Sequence, residues 1–297
     1  MVYENVQPLD YYVSKALDFI DKNSGFHIDL PKSKRTLVIG SQNGYNTGKV
    51  LYRYAGRKFI CSREVQAKER IDTDFDDLGD VMIVSATGSR EVVGVAEYAL
   101  KKGLAVNAIM CNPDSELKRV LGGDLNEIIV PVPTAAEPPT INTVTYGMMI
   151  YGITNEDPKE IRQHLESISQ PEPGYQSFDS YSIHLHDNMP EISDMVCWKL
   201  REIFGGSIGS IATYSTNFRH GGGVRLGEKE LYIGIGIGHD EIDRMRRIPP
   251  PQERRHIVEV PDSMGPLAYM MTSYHIIGQI QRQRNDSGFK EGLLGYN

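Results

Sequence analysis

Residues 80–131 read DVMIVSATGSREVVGVAEYALKKGLAVNAIMCNPDSELKRVLGGDLNEIIVP and carry the clearest fold signal in this chain. The stretch opens with the apolar run VMIVSA, which is typical of a strand buried on both faces of a parallel sheet. Apolar residues then recur at helical spacing from Val92 to Leu100, and Gly103 follows where a helix C-cap glycine belongs. The apolar segment LAVNAIMC, which follows this glycine, predicts the next strand. The stretch therefore predicts a strand–turn–helix–strand unit.

The turn between this first strand and the helix carries Ser85, Thr87, Gly88 and Ser89. Hydroxyl groups and a glycine at a helix N-terminus suit two different roles. Backbone N–H groups and the helix dipole at this position hold an anion such as a phosphate. Ser and Thr side chains also cap helices that bind nothing. The turn alone leaves both interpretations open.

Strands and helices alternate along the rest of the chain as well. The first half predicts a helix over 11–22, a strand–turn–helix run over 36–55, a strand at FICSREV and a helix beginning near Thr140. The second half predicts strands at SYSIHLHD, SIATYST and ELYIGIGIG, and helices at EISDMVCWKLREIF and 266–282. This alternation is typical of the α/β class with a doubly wound parallel sheet.

The length and the order of the predicted elements indicate two half-domains of one α/β type. The predicted boundaries are an N-terminal helical segment at 1–33 and a first, phosphate-binding subdomain at 34–152. A linker helix at 153–174 and a second subdomain with a C-terminal helix at 175–297 complete the division.

Composition and charge exclude several classes of protein. The 297 residues are 24% charged and 40% hydrophobic, as in ordinary globular proteins. A net charge of −7 argues against a nucleic-acid partner. No apolar run approaches the roughly 20 residues needed to cross a bilayer, and no signal-peptide pattern is present, so we expect a cytoplasmic protein without a membrane partner. The cysteines, Cys61, Cys111 and Cys197, are predicted to be buried thiols rather than disulfide or zinc ligands.

The stretch at 85–117, SATGSREVVGVAEYALKKGLAVNAIMCNPDSEL, resembles the phosphate-binding core of sugar-isomerase (SIS) domains. That core has a Ser-x-Ser-Gly-x-Thr loop followed by a helix and a strand ending near an Asn. Ser85, Thr87 and Gly88 fit the loop, and Arg90 stands where the final Thr is usual. The resemblance implies two SIS-type subdomains, each a mostly parallel sheet flanked by helices. It also implies that the loop holds a sugar phosphate, with Ser89 and Arg90 contributing.

A second part of the resemblance lies at 197–223, CWKLREIFGGSIGSIATYSTNFRHGGG. It is similar to the segment of SIS phosphosugar isomerases that supplies the catalytic Glu and His, as in archaeal bifunctional phosphoglucose/phosphomannose isomerases and the isomerase half of glucosamine-6-phosphate synthase. By position, Glu202 matches the base and His220 the histidine. The resemblance implies that a neighbouring subunit donates the histidine, so that a homodimer is expected with its active site at the subunit interface.

The residue types fit the chemistry of aldose–ketose isomerisation. An imidazole opens the sugar ring near neutral pH without special tuning. A carboxylate shielded from water then moves a proton between C1 and C2 through an enediol(ate). A nearby cation stabilises the enediolate oxygen, and Lys290, Arg90 and Arg219 are the candidates. The resemblance thus predicts a hexose 6-phosphate isomerase.

Two further segments resemble sugar-binding parts of SIS domains. The turn SQNGYNTG at 41–48 sits where a Gly-Thr-Ser or Gly-Gly-Ser turn is usual. Asn43 and Gly44 take the places of the hydroxyl residues, and the Asn amide can still bond a sugar hydroxyl or a phosphate oxygen. Ser41, Asn43 and Gly44 are therefore predicted ligand contacts. EPPTINT resembles the segment after the third strand, which places Thr140 near the sugar.

Two other functions remain open. The resemblance also allows deglycation or deamination of an amino-sugar phosphate, because the same constellation serves both chemistries within the SIS fold. A non-catalytic, sugar-phosphate-binding regulator fits the altered turn at 41–48 and the absence of glycines at the end of SIHLHDN.

Three weaker sequence patterns are interpreted as structural features and not as binding sites. His184, His186 and Asp187 have workable metal-ligand spacing, but short His patterns are weak motifs and no metal is expected. The glycines of GIGIGHD do not form the dinucleotide motif, so no cofactor is expected. DRMRRIPPPQERRH at 243–256 predicts a stiff, solvated loop.

Overall fold

A computed structural model describes residues 7–88, 90–133, 142–205, 208–214, 227–238 and 251–284. The described residues separate into two compact units. Those from 22 to 155 form the first unit, and 7–21 together with 156–284 form the second. Each unit contains its own parallel sheet with helices packed on it, which confirms the predicted α/β class with a parallel sheet flanked by helices in each half.

The first unit contains a five-stranded parallel sheet in the order β2–β1–β3–β4–β5. The strands are β1 (Thr36–Gly40), β2 (Phe59–Arg63), β3 (Asp80–Val84), β4 (Ala105–Met110) and β5 (Leu125–Ile129). Every residue of β1 and β3 is buried, as expected for strands covered by helices on both faces. The chain runs from β1 to β2 in one direction and then crosses to β3 in the other. The strand order therefore reverses between β1 and β3.

The helices of this unit pack in two groups. They are α2 (Gln42–Tyr54), α3 (Glu64–Asp74), α4 (Arg90–Lys101), α5 (Glu116–Leu121) and α6 (Thr143–Thr154). Helix α2 packs with α6, while α3 packs with α4 and α4 with α5. The buried residues of α4 recur at helical spacing, as predicted, and join the core that lies against the sheet.

Buried polar side chains connect the amino ends of the strands. The Asn107 amide on β4 donates to Asp80 on β3 (2.9 Å), and the Ser33 hydroxyl donates to the other Asp80 oxygen (2.7 Å). Ser33 also shares a hydrogen bond with Thr36 at the start of β1 (2.9 Å). Since both carboxylate oxygens are paired, this cluster fixes the three strands without burying an unsatisfied charge.

The second unit contains a four-stranded parallel sheet in the order β7–β6–β8–β9. Its strands are β6 (Ser180–Leu185), β7 (Gly209–Tyr214), β8 (Glu230–Ile235) and β9 (Arg255–Val258), and its helices are α1 (Leu9–Lys22), α7 (Pro158–Ser167), α8 (Pro190–Phe204) and α9 (Pro266–Gln283). Strand β9 corrects one prediction, because Arg255 and His256 belong to the sequence read as a solvated loop. His256 is buried, and Arg255 pairs in register with Tyr232 of β8.

Helix α9 is buried over most of its length, and a remote carboxylate caps its N-terminus. Glu156 accepts hydrogen bonds from the backbone N–H groups of Gly265 (2.7 Å), Leu267 (2.8 Å) and Ala268 (3.1 Å). A negative charge also interacts favourably with the helix dipole at this end. This contact ties α9 to the segment that precedes α7.

The cysteines were predicted to be buried, but their exposure is intermediate. Cys61, Cys111 and Cys197 are each partly exposed, and none forms a disulfide.

Within the described ranges, no helix is long and apolar enough to span a bilayer.

A buried histidine links β9 to the segment before β6. The Nε2 atom of His256 lies 3.0 Å from the Ser169 carbonyl oxygen, and its Nδ1 atom lies 3.0 Å from the Tyr175 hydroxyl. Since a carbonyl only accepts, Nε2 carries the proton, and the Tyr175 hydroxyl donates to Nδ1. Burial lowers the pKa of His256 to about 4, so the imidazole is neutral near pH 7. Burial also lowers the pKa of His164 on α7.

We predict that acid destabilises the protein through His256. Between its unfolded pKa of 6.5 and its folded pKa of about 4, the unfolded chain binds more protons. The free energy of unfolding therefore falls as pH drops through this window, by up to about 3 kcal/mol. Urea unfolding across the window should show this loss. His256→Gln should unfold more easily at neutral pH but lose less on acidification, and an equal loss in both proteins would contradict the assignment. The exposed His27→Gln is the control.

Candidate functional site

The carboxyl edge of the first sheet is where a ligand is expected. In open α/β sheets, ligands bind outside the carboxyl ends of the strands, at the point where the strand order reverses. In this unit that point lies between β1 and β3. The turns that follow these two strands, at 41–44 and 85–90, are the two that the sequence singled out.

The turn after β3 is closed by its own hydroxyl group. The Ser85 side chain accepts a hydrogen bond from the backbone N–H of Gly88 (3.1 Å), and its backbone N–H donates to Ile109 of β4 (3.1 Å). Thr87 and Arg90 are exposed, and Arg90 is the first residue of α4. The turn therefore presents a hydroxyl, a guanidinium group and a helix N-terminus at one edge, the set of donors that an anion requires.

Gly88 is required where it stands. Its φ of +59° lies in the left-handed region. A Cβ at this position would also lie 2.7 Å from the Cβ of Ser115, which caps α5. The Gly88 carbonyl accepts a hydrogen bond from the backbone N–H of Leu117 (3.2 Å), so α5 is bonded directly to the turn. The conformation is thus fixed by backbone contacts that do not involve a ligand.

The turn after β1 lies directly beside the turn after β3. A Cβ on Gly44 would be 2.5 Å from the Val84 carbonyl oxygen, at the end of β3. This close approach explains why a glycine stands where a hydroxyl residue is usual in SIS domains. Ser41 is exposed and does not cap α2 with its side chain, and Gln42 has a φ of +40°, a strained value for a non-glycine residue.

Two buried amides stand in the first turns of α2. Asn43 is 5% exposed and Asn46 is 3% exposed. Their Oδ1 atoms have no hydrogen-bond partner among the described residues. A buried acceptor without a donor costs about 1–3 kcal/mol, so such groups are usually satisfied by water or a ligand. Asn43 was predicted as a ligand contact, and Asn46 is an addition from the structure.

Cationic side chains gather at the same edge. The Lys49 ammonium lies 5.4 Å from the centre of the Tyr45 ring, and the Arg63 guanidinium lies 6.0 Å from it. Arg63 ends β2, next to β1 in the sheet. Arg90 is the first residue of α4 at this edge, and Glu64 and Glu91 lie in the first turns of α3 and α4, so the edge carries charges of both signs.

In the second unit, Glu202 lies near the C-terminus of α8, next to the buried ammonium group of Lys199. Its carboxylate accepts a hydrogen bond from the Lys199 ammonium at 2.6 Å. The side chain of Lys199 is 1% exposed and that of Glu202 is 23% exposed. The ammonium also lies 5.6 Å from the centre of the Tyr274 ring. The buried ammonium thus holds the carboxylate in place by a hydrogen bond and leaves part of it exposed.

Lys199 was not among the predicted site residues, although the sequence contains a signal for it. The buried residues Ile192, Val196 and Ile203 mark the apolar face of α8, and Lys199 lies on that face. A lysine on a buried stripe needs a partner, and Glu202 follows it by three residues, one helical turn away.

Four predicted site residues fall outside the part of the chain that the structure describes. These are Ser89, Thr140, His220 and Lys290. Of the others, Ser85, Thr87, Gly88 and Arg90 share one turn, and Ser41, Asn43 and Gly44 share the neighbouring turn.

The candidate metal ligands of the second unit have other contacts. His184 is fully buried, stacks on Tyr232 with ring centres 4.2 Å apart, and shares a hydrogen bond with Ser182 (2.7 Å). His186 bonds to Asn188 (2.7 Å). Among the described residues, no group of three His, Cys, Asp or Glu side chains is placed to hold a metal ion.

Comparison with known proteins identifies the fold. No family model and no curated protein matches the sequence. Among solved structures, glucosamine-6-phosphate deaminase from Thermotoga maritima matches with a TM-score of 0.64 and 14% identity over 95% of this chain and 93% of that one. Tagatose-6-phosphate ketose/aldose isomerase from Escherichia coli gives 0.60 and 13% over 95% and 90%. The C-terminal domain of glucosamine-fructose-6-phosphate aminotransferase from Francisella tularensis gives 0.59 and 15% over 92% and 95%.

The chain has the fold of the SIS-domain phosphosugar isomerases. The predicted resemblance to this fold is confirmed. At 13–15% identity, these matches show that the chain shares their architecture, but they do not establish which reaction it catalyses.

We predict that restoring the hydroxyl of SIS domains at position 44 damages this protein. Gly44→Ser places a Cβ against the Val84 carbonyl and forces α2 away from β3, at a cost of about 1–3 kcal/mol. The melting temperature measures this loss. Gly94→Ser is the matched control, because the nearest atom to its Cβ is the Lys68 ammonium nitrogen at 3.9 Å. If the two variants melted alike, the close approach of α2 to β3 would be in doubt.

Proposed function

We propose that the protein is a phosphosugar isomerase that interconverts the aldose and ketose forms of a hexose 6-phosphate. The observation that carries the proposal is the pair of turns at the β1/β3 reversal of the first sheet. One turn offers anion donors, and the other offers unsatisfied amide acceptors. A molecule with a phosphate at one end and hydroxyl groups along its length complements both turns.

In this proposal the phosphate binds at the N-terminus of α4. The Ser85 and Thr87 hydroxyls, the backbone N–H groups of the first turn of α4 and the Arg90 guanidinium are its donors. The sugar hydroxyls donate to Asn43 in the neighbouring turn, with Ser41 beside it. This arrangement satisfies the buried Oδ1 atom that otherwise has no partner in the described chain.

The proton transfer is assigned to Glu202. Its carboxylate takes the proton from C2 of the open-chain aldose, which gives an enediol(ate), and returns it to C1 to give the ketose. Lys199 is a positioning residue, because its ammonium bonds the carboxylate from the buried side and leaves the exposed side for the substrate. Ring opening by His220 and enediolate stabilisation by Lys290 remain predictions, as do the homodimer and the cytoplasmic location.

Two alternatives each have one observation in their favour. Deamination or deglycation of an amino-sugar phosphate is supported by the structural match to a glucosamine-6-phosphate deaminase. A sugar-phosphate-binding regulator is supported by the turn at 41–44, which has an amide and a glycine in place of hydroxyl residues. Assays with fructose 6-phosphate, glucose 6-phosphate, mannose 6-phosphate and glucosamine 6-phosphate separate the three.

We predict that Glu202→Gln lowers kcat by roughly 10²- to 10⁴-fold and leaves sugar-phosphate affinity nearly unchanged. The amide keeps a hydrogen-bond acceptor for the Lys199 ammonium, but the charge beside this buried amine is lost, so the melting temperature of the variant is measured to verify that it is folded. Turnover and calorimetric binding are the measurements. Glu166→Gln, an exposed change on α7, is the control.

Near-normal turnover by Glu202→Gln would remove this residue from the mechanism. Binding by the unaltered protein with no turnover of any substrate would favour the regulator. Absence of both binding and turnover in the folded protein would refute the proposed function.

A further inference from the structure

Ser115 is a buried hydroxyl residue beside the turn after β3, and the proposed reaction does not use it. It directly precedes α5 and is 1% exposed. A Cβ on Gly88 would lie 2.7 Å from the Ser115 Cβ, 2.9 Å from its hydroxyl oxygen and 3.0 Å from the Met110 sulfur. Gly88 therefore packs directly against these two side chains, which leave no room for a side chain of its own.

The Ser115 hydroxyl joins the end of β4 to the start of α5. Its oxygen accepts a hydrogen bond from the backbone N–H of Lys118 (3.1 Å), which caps α5. The hydroxyl donates to the sulfur of Met110, the last residue of β4 (3.2 Å). A hydroxyl has a single hydrogen to donate, so this pair of bonds holds the side chain in one orientation.

The segment around Ser115 is bonded in turn to the backbone of the turn after β3. The backbone N–H of Leu117 donates to the Gly88 carbonyl (3.2 Å), and that of Cys111 donates to the Ala86 carbonyl (3.0 Å). A peptide unit is planar and trans, so a carbonyl and the N–H that follows it point in opposite directions. The Thr87 N–H is therefore directed away from Cys111.

These bonds fix the conformation of the turn before a ligand arrives. Ser115 is too deeply buried to bind a ligand itself, so it acts on a ligand only through Gly88 and α5. A flexible turn has to be ordered on binding, and the ordering reduces affinity. A turn that is held in place by its supporting residues avoids this loss.

We propose that Ser115 is a positioning residue, which holds the turn after β3 in the conformation that binds the phosphate of the sugar. The proposal rests on the proposed function, which assigns the phosphate to this turn. Since Ser115 acts on the phosphate and not on the carbons that react, its loss weakens binding and leaves the chemical step unchanged.

Ser115→Ala removes the hydroxyl and keeps the Cβ that packs on Gly88, so we expect the variant to fold. Calorimetry with fructose 6-phosphate in the Glu202→Gln background measures binding without turnover. We expect Kd to rise about three- to tenfold, with the stoichiometry unchanged. A merely structural role has the opposite signature, because an unfolded fraction lowers the stoichiometry and leaves the Kd of the folded molecules unaltered. With Glu202 intact, KM should rise by a similar factor and kcat should stay within about twofold.

Asp157→Ala is the matched control, because it also removes a helix cap. Asp157 accepts a hydrogen bond from the backbone N–H of Lys159 (2.8 Å) at the start of α7 in the second unit. Its loss should leave Kd unchanged. An unchanged Kd in Ser115→Ala, or an equal rise in both variants, would overturn this inference and leave the proposed function intact. If the folded protein with Ser115 bound none of the four sugar phosphates named above, the proposed function itself would be refuted, and this inference with it.

Discussion

The candidate site depends on how closely the first turn of α2 approaches the carboxyl end of β3. Gly44 allows this approach, since a Cβ there would lie 2.5 Å from the Val84 carbonyl. The approach places the turn after β1 against the turn after β3, at the point where the strand order reverses. Without it, the amides of α2 and the hydroxyls before α4 would not face a common ligand. A residue that departs from the SIS pattern is thus explained by packing.

The two edges of the first sheet differ in how their buried polar groups are paired. At the amino edge, Asn107 and Ser33 each donate a hydrogen bond to Asp80, so both carboxylate oxygens are satisfied. At the carboxyl edge, the Oδ1 atoms of Asn43 and Asn46 have no partner in the described chain. Satisfied clusters stabilise a fold, whereas unsatisfied ones mark places completed by something else. The paired cluster stabilises the fold at the amino edge, and the carboxyl edge is where we propose that the ligand binds.

The carboxylates of Glu202 and Glu64 lie in different surroundings. Glu202 rests on a buried ammonium, which neutralises its charge and orients it. Glu64 has a hydroxyl and a like charge beside it and no cation in the described residues. The first arrangement suits the proton carrier that we propose Glu202 to be.

Strong periodicity made much of the fold predictable from the sequence. The run at 80–131 gave β3, α4 and β4, and the apolar helix at 266–282 was placed within one residue of its end. Helix α3 was missed because EVQAKERIDTD buries only Ala67 and Ile71, and α5 because it is six residues long. β9 was missed because its neighbours are arginines and prolines.

The site was predictable only in its local parts. The turns at 41–44 and 85–90 carry motifs that the sequence shows directly. The hydrogen bond between Ser41 and Glu64, and the burial of Lys199 beneath Glu202, arise from packing between side chains on different turns or elements. Spacing along the chain indicates which of these contacts are allowed, but packing determines which of them form.

The most direct test of the central claim is a crystal structure of the protein with a hexose 6-phosphate bound. The account predicts phosphate oxygens within hydrogen-bond distance of Ser85, Thr87 and the first N–H groups of α4, with a sugar hydroxyl on Asn43. A phosphate bound elsewhere, with the turn at 85–90 free of ligand in a crystal that holds the sugar at full occupancy, would contradict it.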